Sequence, residues 1–180
     1  MHRRQPLPHL WMMTDERQGE TLWRALYRLP RGAGVVFRHH SLPPRDRRAL
    51  FQRVRSITRS RGLLLLLAGP PGRARLWGAD GSHGLSGPGK SGVGLRSAPA
   101  HDLPEIRKAE RSGADLIILS PVFPTRSHPG ARSLGPVRFG LLARQTRLPV
   151  IALGGMDAKR ARSLAGLGMH GWAAIDAWSY

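Results

Sequence analysis

Two segments of this chain carry residue types and spacings suited to binding an anion. The apolar run 116–119 leads into Ser120-Pro-Val-Phe-Pro-Thr-Arg-Ser-His128, a loop that is stiffened by two prolines and ends in hydroxyls and a histidine. The β-branched run 149–153 stops at Gly154-Gly155, where the backbone can approach an anion closely. Both segments are typical of strand-to-loop corners in a (βα) barrel, whose ligands sit at the carboxyl ends of the strands. We infer a phosphorylated ligand.

The elements that must position these loops alternate along the chain, which predicts an α/β protein with a parallel sheet. Eight strands fit, so we expect a single-domain (βα)8 TIM barrel over residues 1–180, pared down because such barrels usually need roughly 200 residues or more. The predicted strands are 10–14, 34–38, 62–68, 81–85, 91–97, 115–119, 149–153 and 172–175. The predicted helices are 21–29, 43–61, 101–112, 137–147 and 158–167.

One helix is missing from that series and another is cut short. Gly69-Pro-Pro-Gly72 looks incompatible with regular helix, so we expect a short or missing third helix. Few residues follow the eighth strand, so the last helix should be truncated. Glycine, proline and serine dominate residues 86–90, which we interpret as a loop.

The charge is strongly positive. The chain has 180 residues and a formal net charge of +18, and 26 of its 29 basic residues are arginine. A basic nucleic-acid-associated protein is therefore one alternative. The arginines are scattered and no zinc finger or RNA-binding aromatic motif is present, so we expect no specific nucleic-acid partner.

The sequence shows no sign of a signal peptide or a membrane-spanning segment. The N-terminal arginines precede no long apolar run, and the longest apolar run, 63–68, is too short to span a bilayer. Cysteine is absent, so disulfides and thiolate metal sites are excluded. We expect a cytoplasmic protein, and the sequence carries no indication of its oligomeric state.

In order along the chain, several motifs resemble the thiamine phosphate synthase family and its relative, the thiazole tautomerases. The match covers nearly the whole chain and is strongest over 98–178. The matching segments are the first strand followed by Asp15, then Arg38, Gly78-Ala-Asp-Gly-Ser-His83, Ser97 with His101, Ser120-Pro-Val-Phe-Pro-Thr125, the strand ending at Gly154-Gly155, and Gly171-Trp-Ala-Ala-Ile175.

The resemblance implies a transferase that joins 4-amino-2-methyl-5-pyrimidinylmethyl diphosphate to a thiazole phosphate and releases diphosphate. Its thiazole-phosphate cradle would comprise Gly154, Gly155, Ile175 and Asp176, although the family usually has serine at the last of these positions. Small phosphorylated molecules would be the partners.

The diphosphate side implied by the resemblance uses Arg38, Thr125, Ser127 and His128. Ser97 is a further candidate for binding substrate or phosphate. Arg38 and His128 are the candidate catalytic residues, because each could offset the charge of the leaving group. His128 falls where the family has a lysine, and it is a cation only when protonated.

The family's metal site is the sharpest departure. The family binds Mg²⁺ through carboxylates after its third and fourth strands, but here Ala68-Gly69 and Ser86-Gly-Pro-Gly89 fall at those positions. Magnesium prefers oxygen ligands that include carboxylates. The resemblance thus predicts Mg²⁺, whereas the sequence offers no metal ligands at the usual places, so either arginines replace the metal's charge or the diphosphate chemistry is lost.

The tautomerase branch uses a histidine where this chain has Pro121. The remaining ring bases near strand ends are His83 and His101. We therefore hold two hypotheses beside the nucleic-acid alternative: a thiamine phosphate synthase-type enzyme, and a non-catalytic or repurposed relative that binds a thiazole phosphate or another small phosphorylated ligand.

Overall fold

A computed structural model describes residues 6–84, 94–125, 130 and 132–178. The strands are β1 Leu10–Met13, β2 Gly34–Phe37, β3 Leu64–Ala68, β4 Gly81–His83, β5 Leu95–Ala100, β6 Leu116–Leu119, β7 Val150–Ala152 and β8 Gly171–Ala174. The helices are α1 Thr21–Arg28, α2 Pro44–Arg61, α3 Pro71–Trp77, α4 Leu103–Arg111, α5 Gly135–Ala143 and α6 Ala158–Ser163. A short 3-10 helix, Glu16–Gln18, lies between β1 and α1.

The eight strands form a closed barrel in sequence order, and β8 pairs with β1. Every pair is parallel. The predicted (βα)8 barrel is therefore confirmed. Because all strands run the same way, every strand-to-helix loop emerges at one end of the barrel, which we call the mouth.

Alternation along each strand divides the core into an inner and an outer layer. Alternate residues, such as Trp11 and Met13 of β1 and Val36 of β2, point inward and fill the barrel interior. The intervening residues, such as Met12 and Val35, pack against the surrounding helices. Because both faces of each strand are buried, the strands are almost continuously apolar in sequence.

Helix α3 corrects the expectation for the third helix. It is short, as predicted, but it is present, and Pro71 and Gly72 belong to its first turn. Pro71 occupies one of the first helical positions, where the missing N–H costs no hydrogen bond. Gly78 ends the helix with a left-handed backbone, at φ 75°. A proline pair therefore marks a helix start here.

Several element bounds also differ from the sequence prediction. Strand β5 is Leu95–Ala100 rather than 91–97, and it continues through Pro99, which pairs with Ile118 in β6. Helix α5 starts two residues earlier than predicted and ends at Ala143. No helix follows β8 within the described residues up to 178. Among the helices in the described part of the chain, none is long and apolar enough to cross a membrane.

Candidate functional site

The mouth of the barrel brings together most of the predicted site residues, because each follows or ends a different strand. Arg38 follows β2, His83 ends β4, Gly154 and Gly155 follow β7, and Ile175 follows β8. Asp80, by contrast, precedes β4 at the opposite end, where its carboxylate accepts from Leu65 N at 2.8 Å. The structure thus separates Asp80 from the site.

Arg38 lies at the mouth in a fixed hydrogen-bonded geometry. Its Nη2 donates to Oδ2 of Asp15 at 2.5 Å, and its Nε donates to Thr14 O at 2.7 Å. Arg17 Nε donates to the other carboxylate oxygen of Asp15 at 2.7 Å. Asp15 therefore sits between two guanidinium groups, and Arg38 is partly neutralised rather than a solitary cation.

The charges around Asp15 decide its protonation. Burial raises the pKa of Asp15, but hydrogen bonds from Arg17 and the charges of Arg38 and Arg17 outweigh burial, so the net pKa is lowered. Burial also lowers the pKa of the Arg38 guanidinium, and the Asp15 carboxylate opposes that shift. Near neutral pH the pair is ionised, because a guanidinium remains protonated in proteins.

Arg47 is a mouth residue that the sequence analysis missed. It comes from α2, its side chain is only 5% exposed, and its guanidinium donates to Arg38 O at 2.9 and 2.7 Å. The Nη2 atom of Arg47, which makes the shorter of these two bonds, also donates to Ala68 O at 2.7 Å. Its carbon Cζ lies 5.7 Å from the ring centroids of both Phe37 and Trp77. Arg47 thus connects the carboxyl ends of β2 and β3.

A signal for Arg47 was present in the sequence. The buried stripe of α2 comprises Arg47, Phe51, Val54 and Thr58, at helical spacing. An arginine that extends an apolar stripe by one turn must be buried with its charge, which is uncommon. With 26 arginines in the chain, residue type alone could not reveal it.

His83 faces Ser97 across neighbouring strands. Its Nδ1 lies 2.8 Å from Ser97 Oγ, and the two residues are direct register partners in β4 and β5. Burial, together with the positive charges of Arg38 and His40, lowers the pKa of His83 to about 4. The imidazole is therefore neutral near pH 7, and Ser97, which is 1% exposed, serves as its hydrogen-bond partner.

His101 lies on the surface, at the start of α4, and not inside the barrel. It is exposed, and its Nδ1 lies 2.7 Å from Glu105 Oε2 in the first turn of α4. Glu105 also accepts from His101 N at 2.8 Å, while Asp102 accepts from Glu105 N and caps the helix. These bonds account for His101 as part of a helix start.

Gly154 and Gly155 lie under the loop that follows β6. Val122 N donates to Leu153 O at 2.9 Å and Phe123 N donates to Gly154 O at 3.1 Å. A Cβ added at Gly154 would lie 2.7 Å from Pro121 Cα, and one at Gly155 would lie 2.5 Å from Pro124 O. Both glycines have positive φ, 99° and 60°. Only glycine fits this close approach of two loops.

The backbone N–H groups of Gly154 and Gly155 have no backbone partner in the part of the chain that the structure describes. Arg160 of α6 donates to Gly155 O, and its guanidinium lies 5.2 Å from the Phe123 ring centroid. Gly155 O is thus occupied, and the N–H groups of Gly154 and Gly155 are the candidate donors to an anion.

Thr125 is partly buried and lies at the end of the described part of this loop. It makes an interaction with the rest of the chain. The predicted residues Ser127 and His128 lie outside the described residues. The structure therefore positions Thr125 on the loop that covers the glycines.

Ile175 and Asp176 follow β8 as predicted. The carbonyl of Ile175 accepts from Gln18 Nε2 at 2.9 Å, and Gln18 Oε1 accepts from Asp15 N at 2.8 Å. Gln18 thereby links the ends of β8 and β1. The hydrogen bond to Asp15 raises the pKa of Arg17, burial opposes that shift, and the charges of Asp15 and Asp176 add to it.

Carboxylates that could hold Mg²⁺ are not gathered at the mouth. All eleven acidic residues fall in the described part of the chain. Asp102 and Asp157 cap helices, Asp115 accepts from Arg96 N, and Asp15 is bound by two arginines. Within the described residues, no group of three or more histidine, aspartate or glutamate side chains could hold a metal ion. The residues present do not fit a magnesium site of the expected kind.

Comparisons with known proteins agree with this geometry. The family model described as "Thiamine monophosphate synthase" matches residues 94–178. The "Putative thiamine-phosphate synthase 2" of Aquifex aeolicus is 32% identical over 180 residues, which cover 94% of this chain and 97% of that protein. The "Thiamine-phosphate synthase" of Chlorobium luteolum is 39% identical over 94 residues, but these cover 52% of this chain and only 42% of that protein.

Among solved structures, thiamine phosphate pyrophosphorylase from Pyrococcus furiosus is similar over 99% of this chain and 90% of its own, with a TM-score of 0.78 and 25% identity. A thiamine phosphate pyrophosphorylase from Bacteroides thetaiotaomicron matches with a TM-score of 0.59 and 14% identity, over 94% of this chain and 83% of that one. That second likeness concerns the fold.

Proposed function

We propose that this chain, which belongs to the thiamine monophosphate synthase family, joins 4-amino-2-methyl-5-pyrimidinylmethyl diphosphate to a thiazole phosphate. A C–O bond between the methylene carbon and the diphosphate breaks, and a C–N bond forms between that carbon and the thiazole nitrogen. The C–O electron pair leaves with diphosphate, and the nitrogen lone pair makes the new bond. No proton transfer is required.

The side chains at the mouth agree with a reaction that transfers no proton. Because the reaction needs no general base, a neutral His83 fits the chemistry as a structural partner of Ser97. What the reaction demands is two anions held in register and stabilisation of the leaving group's growing charge. We assign these tasks to the two sides of the mouth.

The observation that carries the proposal is the cradle formed by the loops after β6 and β7. The Pro121–Pro124 segment lies on Gly154 and Gly155 closely enough that a Cβ at either glycine would collide with it. Phosphate commonly binds in barrels at the loops after the seventh and eighth strands, so we expect the glycine N–H groups to donate to it beside the end of β8 at Ile175. We propose that this cradle binds the phosphate of the thiazole substrate.

The other side of the mouth, around the ends of β1, β2 and β3, would bind the pyrimidine diphosphate. Arg38 is the described residue placed for that task, with Thr125, Ser127 and His128 as further predicted ligands from the loop after β6. We propose small phosphorylated molecules as the partners, because the candidate anion-binding groups lie at the mouth of the barrel.

The test is product formation by the purified protein. The pyrimidine diphosphate and thiazole phosphate would be supplied with magnesium or with EDTA, and thiamine phosphate would be measured after oxidation to its fluorescent derivative. Product that requires both substrates supports the transferase. Absence of product under both conditions contradicts it.

A second candidate function follows from the acid-poor mouth. With no carboxylate after β3 or β4, a relative that binds a thiazole phosphate or another small phosphorylated ligand without turnover would have the same cradle. Calorimetry with thiazole phosphate distinguishes the two, because binding without product supports the repurposed relative.

A further inference from the structure

The loops after β3 and β4 contain no acidic residue. No aspartate or glutamate occurs between Asp46 and Asp80, or between Asp80 and Asp102, and Asp80 itself lies at the far end of the barrel. These two loops therefore offer a divalent cation only neutral oxygens or histidine. The carboxylate whose charge does reach this region is Glu16, which accepts from Ser41 N at 3.0 Å.

A cation of the protein's own occupies this region. The guanidinium of Arg47 lies against the carbonyl oxygens that end β2 and β3, at Arg38 and Ala68. Ala68 is the position at which the sequence resemblance predicts the first metal ligand. A fixed positive charge thus stands at the end of β3 where the family's metal site would begin.

The burial of Arg47 is not explained by an ion pair. None of the ion pairs between described residues includes Arg47, and its Nη1 has no described acceptor. Burying a guanidinium without a carboxylate is unfavourable unless other groups compensate. Three bonds to carbonyl dipoles compensate in part, and they leave the full positive charge in place.

Further basic groups surround Arg47. Burial lowers the pKa of Arg47, the charge of Arg73 in the first turn of α3 lowers it further, and the Glu16 carboxylate opposes both. Burial likewise lowers the pKa of His40, with the charges of Arg47 and Arg38 adding to that shift and Glu16 opposing it. These basic groups come from the loop after β2, from α2 and from α3, so folding brings like charges together. Glu16 offsets only part of this positive charge, so an anion that binds here is stabilised.

We propose that this side of the mouth binds the diphosphate group directly through arginine, without a divalent cation, and that Arg47 is the residue that fixes its positive potential. The inference rests on the proposed function for the identity of the anion. Arg47 acts as a positioning residue, since it holds the backbone of Arg38 and Ala68 and supplies a charge that is already ordered before the anion arrives.

Calorimetric titration with inorganic diphosphate tests the metal requirement. The titration is run at about 0.15 M salt, where screening weakens non-specific attraction to a basic surface, once with EDTA and once with magnesium. We expect saturable binding of one diphosphate in EDTA, with no gain in affinity when magnesium is added. Binding that appears only with magnesium, or under neither condition, overturns the proposal.

The variant Arg47→Met tests the residue, and Arg55→Met is its matched control. Arg55 lies on the same helix and also donates to a backbone carbonyl, Gly78 O at 2.8 Å, which ends α3 at the opposite end of the barrel. Both variants lose one charge. We expect Arg47→Met to weaken diphosphate binding by about tenfold or more, which corresponds to about 1.4 kcal/mol, and Arg55→Met to stay within about twofold.

The variant Arg47→Lys covers the case in which Arg47→Met does not fold, as judged by circular dichroism. It keeps the charge but cannot bridge both carbonyls, so we expect intermediate affinity and unchanged metal independence. Equal affinity of the wild type and a folded Arg47→Met overturns the role of Arg47. Loss of turnover with diphosphate binding intact would instead contradict only the proposed function.

Discussion

The Nη2 atom of Arg38 lies 2.5 Å from Oδ2 of Asp15, and this ion pair joins the carboxyl ends of β1 and β2. Asp15 also caps the 3-10 helix that follows β1, and its backbone N–H donates to Gln18. Gln18 in turn binds the carbonyl of Ile175. A single chain of hydrogen bonds therefore holds the ends of β8, β1 and β2 in one arrangement.

Replacing Asp15 by Asn removes the charge while keeping an N-cap side chain. The side chains of Asp15 and Arg38 are 17% and 25% exposed, so the pair lies between a surface and a buried ion pair. We expect the free energy of unfolding to fall by about 1–2 kcal/mol at pH 7, measured by urea denaturation. Glu20→Gln, at an exposed position with no described ion pair, is the control.

The pH dependence of that difference checks its cause. The pKa of Asp15 is lowered in the folded state, so the carboxylate contributes stability above its unfolded value of 3.8, and the contribution is lost as the pH falls through the folded pKa. The wild type and Asp15→Asn should converge in acid. A constant difference from pH 7 to strong acid would contradict an electrostatic origin.

His83 should titrate far below an ordinary histidine. Burial, with the charges of Arg38 and His40 adding to it, lowers its pKa from 6.5 to about 4. Nuclear magnetic resonance of the 15N-labelled imidazoles should show one histidine neutral down to about pH 5, and His83→Gln should remove that signal.

Stability provides a second readout for His83. Between pH 6.5 and about 4 the unfolded state binds a proton that the folded state does not, so acidification through this window destabilises the wild type. We expect the unfolding free energy of His83→Gln to fall less over the same window. Identical slopes for the two proteins would contradict burial of a neutral imidazole.

Alanine substitution at Gly154 should be costly. The new Cβ would lie 2.7 Å from Pro121 Cα at a residue with φ 99°, so both overlap and backbone strain oppose folding. We expect a loss of about 2–4 kcal/mol of unfolding free energy and weaker thiazole-phosphate binding. Gly166→Ala has positive φ but open space around its Cβ, so it measures the strain alone.

Arg160→Met should affect substrate binding more than stability. Arg160 donates to Gly155 O and its guanidinium lies over the Phe123 ring, but the side chain is exposed. We expect a stability loss of no more than about 1 kcal/mol and a several-fold rise in KM for thiazole phosphate with kcat unchanged. Arg162→Met, an exposed change of equal charge on α6, should leave KM unchanged.

The barrel could be predicted from sequence because its strands are buried on both faces and are therefore apolar throughout. Prediction of β5 was less accurate, since Pro99 and a glycine-rich approach hide its true course. The third helix is short, as predicted, but its start was not predicted. Pro70-Pro71 was interpreted as a helix breaker, whereas proline in the first helical turn starts a helix.

The candidate site was less predictable than the fold. Gly154 could be found from its place after a predicted strand, whereas Arg38 was predicted from the family resemblance. Arg47 lies near the start of α2, and its side chain reaches the mouth. Its role depends on carbonyl groups at the ends of two strands, β2 and β3. The ion pair of Arg38 with Asp15 likewise depends on which side chains the closed barrel places together.

Helix α2 is hydrogen-bonded to backbone carbonyls at both ends of the barrel. Arg47, near its start, donates to the carboxyl ends of β2 and β3, and Arg55, two turns later, donates to Gly78 just before β4. Local opening of α2 must therefore release backbone carbonyls at both ends of the barrel together. The amides of β2, α2 and β3 should exchange with solvent deuterium as one cooperative unit, and an anion bound at the mouth should slow exchange at the far end of that unit.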